Sequence, residues 1–396
     1  MQTFVKIFLA AVSLAVAWQI GQPRPLGTTS APSSQPVRVT TTGRYHGMAV
    51  QLHGGVGIYE AYNKLIPEVA ALGADSILFA VHGWQEHAGS LDLHLDAKRT
   101  ADAKELGQLC DLAAANGLRV ILMPMVLLTN PRNNEWRGKI VPENKDWKAW
   151  FDRYREFITH FARISEKHRV DVLMIGSELV KTEGRTEEWR GIIADVRNVF
   201  HGRLGYSANW DHYQTEKIGF WPELDFVGMT TYYKLAEAAN PEVEEIDRNW
   251  SRIKKEILTF QKEVNRPIIF TEAGWCSQEG AAFEAWNYYH SQKATEAGRK
   301  EQVICYEAFI RAWSDEPAVG GIIWWEWDLS QGGNEDYNYT PKGKPAEAIL
   351  RRWFEKARAA AKLTAGGAKR IETSKDSGLL HPMTPPMKPA AGDTSQ

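Results

Sequence analysis

The sequence predicts an α/β protein of the (β/α)8 class, a TIM barrel, and three observations carry that reading. Short apolar runs alternate with longer segments of helical periodicity. The runs lack the in-and-out polarity of a half-exposed sheet, as expected of parallel strands buried on both faces. The pattern also repeats often enough to fill about 250 residues or somewhat more, the usual extent of such a barrel. A doubly wound open sheet is the competing arrangement. It is disfavoured because Gly54-Gly55-Val56-Gly57 lacks the spacing of a dinucleotide loop and no P-loop motif occurs.

The first strand is Gly47–Leu52, with a helix near Tyr59–Leu72. The second, Ser76–Val81, leads to a helix near Ala97–Asn116, where Asn116-Gly117 supplies the left-handed residue at which helices stop. Strand three is Arg119–Val126. Its helix, near Asp146–His168, places Trp147, Trp150, Phe151, Tyr154, Phe157, Ile158 and Phe161 at helical spacing. Strand four, Val172–Ile175, precedes a helix near Thr186–Phe200. Strands five and six are Leu204–Ala208 and Phe226–Thr230, the latter followed by a helix near Val243–Val264. Strand seven is Ile268–Phe270, with a helix near Glu301–Trp313. Strand eight is Gly321–Trp327, and a last helix spans Pro345 to Ala361. Strict alternation of eight strands with eight helices also requires a helix between strands five and six.

The 396 residues are 43% hydrophobic and 24% charged, a globular composition with room for one large domain and tails. A net charge of −2 offers no basic surface, so nucleic acid and acidic membranes are not expected as partners. Tryptophan is the unusual count, at 16. Flat rings stack on sugar faces, yet most of these are expected in an aromatic core. Cys110, Cys276 and Cys305 are too few and too scattered for a disulfide framework or a zinc site. His46, His53, His82 and His87 do not form a metal-ligand spacing with nearby acids, and neither metal nor organic cofactor is expected.

Lys6 and the apolar stretch Ile7–Ala17 have the form of an export signal, with Ala15-Val16-Ala17 as a small-x-small cleavage site. Cleavage near Ala17 yields a periplasmic or extracellular protein with no membrane span. An uncleaved N-terminal anchor is the alternative. The expected organisation is a signal at 1–17, a disordered linker at 18–42, one catalytic domain at 43–363 and a disordered Pro/Lys-rich tail at 364–396, in a monomer.

Two glutamates end apolar strands. Glu178 closes Val172-Leu173-Met174-Ile175-Gly176-Ser177-Glu178, and Glu272 lies in Pro267-Ile268-Ile269-Phe270-Thr271-Glu272. Burial disfavours a carboxylate's charge, so such positions are costly without a purpose. In a barrel, catalytic groups gather at the C-terminal rim of the strands, and strands four and seven face each other across it. Glycoside hydrolysis needs such a pair: one carboxyl protonates the leaving oxygen, the other attacks the anomeric carbon or activates water. A separation of about 5–5.5 Å retains configuration, and about 6.5–9.5 Å inverts it.

Neighbouring positions suggest substrate contacts. Alternation with Gly228 and Thr230 selects Tyr232, rather than Tyr233, to reach Glu272. Trp325 is expected beneath the sugar at the cleavage point, with Trp327 beside it, and Glu326 is the rival to Glu272 as second carboxylate. His82 and Trp84 follow strand two, and Asn209 follows strand five, all at the rim. The polar loop Thr129–Arg137 after strand three is placed to wall a cleft.

With Ile175-Gly176-Ser177-Glu178-Leu179 and Phe270-Thr271-Glu272-Ala273-Gly274-Trp275, the chain resembles glycoside hydrolase family 113. That family belongs to the large clan of retaining barrel glycosidases with glutamates on strands four and seven. Asp225–Tyr233 and Trp324-Trp325-Glu326-Trp327 extend the likeness, which covers roughly Tyr45 to Glu355. The resemblance implies Glu178 as acid/base, Glu272 as nucleophile and β-1,4-mannan as first substrate. Two positions depart from the wider clan. Ser177 stands where most members place Asn, and Thr230-Thr231-Tyr232-Tyr233 stands where an acidic or amide residue is common. A barrel acting on cell-wall glycan and a sugar-binding barrel without catalysis remain as alternatives.

Overall fold

The computed structural model describes residues 43–214 and 217–376, of which 362–376 as backbone only. The expected signal and linker lie outside the described residues. Eight parallel strands close in sequence order into a barrel. They are β1 (Tyr45–Gln51), β2 (Ser76–Gln85), β3 (Arg119–Leu128), β4 (Val172–Ser177), β5 (Arg203–Ala208), β6 (Phe226–Thr230), β7 (Ile268–Ala273) and β8 (Val319–Trp324). The last strand returns to the first through Tyr45–Gly321 to Met48–Trp324 pairing. Every residue of β4, β6 and β7 is buried, which is why these strands read as unbroken apolar runs.

The surrounding helices are α1 (Ile58–Tyr62), α2 (Leu65–Leu72), α3 (Ala103–Ala115), α4 (Trp147–Lys167), α5 (Thr186–Arg197), α6 (Val243–Val264), α7 (Glu296–Trp313) and α8 (Pro345–Asp376). Side-chain caps decide several starts. Asp102 accepts from the Lys104 and Glu105 amides, so α3 begins after it rather than at Ala97. Thr295 accepts from the Gly298 amide and starts α7 five residues before the expected Glu301. The aromatic face of α4 lies on the barrel: Tyr154 stacks on Trp150 at 5.1 Å and donates to the Ile175 carbonyl of β4 at 2.7 Å. Trp150, Trp189, Trp250, Trp275, Trp313 and Trp324 are fully buried.

Three expectations differ from the structure. The first helix breaks into α1 and α2 at Asn63-Lys64. Among the described residues no α-helix lies between β5 and β6, where a 3-10 turn at Trp221–Glu223 suffices. Aromatic rings fill that space instead: Phe220 stacks on Trp189 at 5.2 Å and meets Tyr206 edge-on at 5.4 Å. Finally, α8 continues through Thr364, the expected start of the disordered tail, to Asp376. Its Ala, Lys, Arg and Glu content favours helix strongly enough to carry the backbone through Gly366-Gly367.

Irregularities in the barrel cluster near the rim. The register shifts between Met174 and Ser177 along β4, between Met229 and Thr230 along β6, and between Phe270 and Ala273 along β7. Such bulges re-aim side chains at strand ends, and these flank the two glutamates. Among the described residues no helix is long and apolar enough to cross a membrane.

Candidate active site

The rim opens into a cleft of about 1170 Å³ whose walls include both Glu178 and Glu272. Glu178 follows directly on β4. Its amide donates to the Ser207 carbonyl at 2.8 Å, and its φ is 52°. That left-handed conformation costs an ordinary residue roughly 1–2 kcal/mol, and strain held at a cleft rim points to function. The Glu178 carboxylate receives three donors. Arg137 Nη2 approaches Oε2 at 2.5 Å, while Asn209 Nδ2 and Thr230 Oγ1 both approach Oε1 at 3.0 Å.

Glu272 lies within β7 and is 3% exposed. The Tyr232 hydroxyl donates to its Oε2 at 2.8 Å, and Oε1 has no partner among the described residues. Its backbone is clamped by Thr231, whose amide and hydroxyl donate to the Glu272 carbonyl at 3.0 and 2.9 Å. Burial, and then the charge of Glu178, push the Glu272 carboxyl up to about 7, against the pull of Arg137 and Tyr232. One element thus serves both carboxylates. Thr230 at the end of β6 donates to Glu178, and Tyr232, two residues on, donates to Glu272.

The structure sorts the other rim residues. Trp325 lines the cleft together with Glu272 and is buried to 6% exposure. Glu326 also lines it. Burial pushes this third carboxyl up to about 8, with a hydrogen bond from Gln51 opposing and the charges of Asp328 and Glu272 adding. Tyr233 is turned away, toward the Met229 sulfur at 3.6 Å and the Trp210 ring at 5.2 Å. Asn209 lines the cleft, yet its amide is committed to Glu178, so its part is to position that carboxylate.

Three residues expected to touch substrate do not line the cleft. Trp327 is buried, with its indole N–H on Glu68 at 3.0 Å. Trp84 is covered by Arg99, whose guanidinium lies 4.3 Å from the ring centroid. His82 is completely buried, 5.1 Å beneath the ring of the cleft residue His53. Burial first, then the charges of His53 and Arg137, drive His82 down to about 3, so it is neutral at physiological pH. In all three the side chain found a core or loop partner closer than the cleft.

The sequence marks Arg137 only as the end of a wall loop. Its cation becomes a partner of Glu178 because a 3-10 turn, Arg137–Lys139, folds the loop back over the mouth. Nothing in the spacing of Thr129–Arg137 marks that return. Trp286, Tyr288 and Tyr289, on the loop between β7 and α7, also line the cleft, and their clustering in Trp286-Asn287-Tyr288-Tyr289 was the available signal. Among the described residues no group of three or more His, Cys, Asp or Glu is arranged to hold a metal ion.

A family model for Glycoside Hydrolase Family 113 matches residues 54–344. The chain is 27% identical to the GH113 β-mannanase AaManA from Alicyclobacillus acidocaldarius, solved in complex with ManMIm. The superposition has a TM-score of 0.70 and covers 80% of this chain and 98% of that one. A GH113 β-1,4-mannanase complex is 26% identical, with a TM-score of 0.68 over 79% of this chain and 99% of that one. A β-D-glucuronidase for Dictyoglomus thermophilum shares the fold alone, at 13% identity and a TM-score of 0.55 over 79% of this chain and 51% of that one. A search of curated proteins gave no match. The match over most of the barrel, on a cleft built around two strand-end glutamates, places this chain in glycoside hydrolase family 113, a family of retaining enzymes.

Proposed function

We propose that this enzyme hydrolyses β-1,4-mannan by double displacement, with Glu272 as nucleophile and Glu178 as acid/base. The observation that carries the reading is the pair itself: two buried carboxylates in one cleft, each held by its own donors, with their charges coupled. The mannanase activity of the solved relatives supports the choice of sugar.

The reaction needs the two carboxyls to hold one proton between them. In the free enzyme Arg137 occupies Glu178, while Glu272 is pushed up to about 7. The entering sugar, seated over Trp325, displaces Arg137 from Glu178. The proton then belongs on Glu178, next to the glycosidic oxygen, and Tyr232 steadies the Glu272 carboxylate as it faces the anomeric carbon. Glu272 forms a bond to that carbon as the glycosidic C–O bond breaks and Glu178 passes its proton to the leaving oxygen. Glu178 next takes a proton from water, whose oxygen replaces Glu272.

Export completes the proposal. Lys6, the apolar Ile7–Ala17 and the Ala15-Val16-Ala17 site support a chain cleaved near Ala17 and acting outside the cytoplasm.

The test is digestion of β-1,4-mannan, mixed-linkage β-glucan and peptidoglycan, with the first-formed anomer followed by NMR. Cleavage of mannan with the β-anomer first is the expected result. Cleavage of peptidoglycan alone would move the substrate to cell-wall glycan. Binding without any cleavage would make the barrel a sugar-binding protein.

A further inference from the structure

The loop between β7 and α7 carries three aromatic residues that the catalytic account leaves unused. Trp286 is 49% exposed, Tyr288 47% and Tyr289 54%. Among the described residues these are the large aromatics left most open to water, and they sit within four positions of one another. Leaving three such rings half in water forgoes burial that each unburied Å² would reward with about 25 cal/mol. Clustered exposed apolar surface marks a binding site rather than a packing accident.

The rings are held ready. Gln278 fastens the loop from within: its Oε1 accepts from the Ser291 and Gln292 amides at 2.8 and 2.9 Å, and its Nε2 donates to the Tyr288 carbonyl at 2.9 Å. The Tyr339 hydroxyl donates to the Ala285 carbonyl at 2.7 Å. The buried Glu301 carboxylate takes the Gly280 and Ala282 amides at 3.1 and 2.8 Å. A shelf ordered before its ligand arrives spares that ordering on binding.

The shelf is also continuous with the reacting centre. Ring centroids lie 4.2 Å apart between Tyr289 and Tyr288, 6.5 Å between Tyr288 and Tyr339, and 5.8 Å between Tyr339 and Tyr232. Tyr232 in turn holds Glu272. All of these residues line the same cleft. Across it stand the polar Asn133, Asn134 and Glu135 of the loop after β3. One wall offers flat faces and the other offers hydrogen-bonding groups.

We propose that Trp286, Tyr288 and Tyr289 form a distal sugar-binding platform for a β-linked glycan chain extending away from the bond being cut. A β-linked pyranose presents C–H groups on its broad face, and the negative face of an aromatic ring attracts them while shedding water. The platform makes the enzyme select long chains over disaccharides. The inference rests on the reading that the cleft takes a glycan, and its test separates the two.

The variants Trp286→Ala and Tyr289→Ala are compared with wild type in two assays. The first is hydrolysis of β-1,4-mannan against an aryl β-mannoside, which ends at the cleavage point. Each substitution is expected to raise KM for the polymer about tenfold, the size of one lost stacking contact, with little change in turnover of the aryl glycoside. Equal losses on both substrates, or none on either, would overturn the platform. The second assay is affinity electrophoresis of the uncleaving Glu272→Gln protein in gels cast with mannan, glucomannan, xylan or β-glucan. Retardation by at least one gel, lost on adding Trp286→Ala, supports the platform even if mannan is not cleaved and the substrate proposal fails. No retardation by any gel would overturn it. So would unchanged retardation in the double variant. Concentration-dependent dimers that Trp286→Ala dissolves, without loss of glycan binding, would assign the patch to a second copy of the chain and likewise overturn the proposal.

Discussion

Glu178 and Glu272 end corresponding strands of one barrel, yet they keep opposite company. Among the described residues Glu178 has an arginine, an amide and a hydroxyl on its two oxygens, whereas Glu272 has one phenol and an oxygen without a partner. The first is supported through Arg137 from a loop and its 3-10 turn. The second is clamped by its neighbour strand and the two residues beyond it. The difference teaches that strand position provides the carboxylates, while their donors, drawn from other elements, give each a different environment.

The substitution that bears hardest on this contrast is Glu272→Ala. It should lower kcat by about 10⁴-fold or more, the scale of losing a nucleophile, with thermal unfolding showing the fold intact. Added azide should restore cleavage from the vacated face and give the α-glycosyl azide. Glu178→Ala should cost about 10²–10⁴-fold on mannan, the usual range for a lost general acid. The loss should be far smaller on an aryl glycoside with an acidic leaving group, and azide should now give the β product. Identical products from the two variants would erase the distinction between the carboxylates.

Tyr232→Phe removes the one donor that the described residues offer to the Glu272 side chain. A hydrogen bond to a charged group is worth about 1.5–3 kcal/mol, so kcat/KM should fall by about 10–10²-fold, whereas Tyr233→Phe should leave it near wild type. Arg137→Gln tests the other side. Arg137 pulls the Glu272 carboxyl down, so its loss should let Glu272 keep its proton to higher pH and move the alkaline limb of the kcat/KM profile upward. A limb that stays in place would show that Arg137 is only a wall residue.

The smallest effect concerns stability. Glu272 is raised from 4.5 to about 7 on folding, so between those values the folded chain holds a proton that the unfolded chain has lost. Stability therefore declines as pH rises across that window and stays low above it. Glu272→Gln, which has no charge to bury, should be more stable than wild type at pH 8 by about 1–3 kcal/mol. The gain should vanish near pH 4, as read by denaturant unfolding at both pH values.

Much of the barrel was legible because strands buried on both faces must be apolar throughout, and Ile268-Ile269-Phe270 or Val172-Leu173-Met174 admit few other readings. The missing helix before β6 was not legible, because Phe220 and Trp221 fill its place by shape rather than by periodicity. At the site, strand ends located the glutamates, and the two-residue alternation that singled out Tyr232 is a property of the backbone. Trp84, His82 and Trp327 show where that reasoning stops. Being at the rim does not say which way a side chain turns, and Arg99, His53 and Glu68 decide it from distant parts of the chain. Arg137 reaches Glu178 for the same reason, across a loop whose path no local pattern encodes.

The most direct test of the account is to trap the covalent intermediate. A 2-deoxy-2-fluoro-β-mannosyl fluoride should react once with the enzyme and release sugar slowly, and peptide mass spectrometry should place the fluorosugar on Glu272. A label on Glu326 or Glu178, or full inactivation with no covalent sugar, would contradict it.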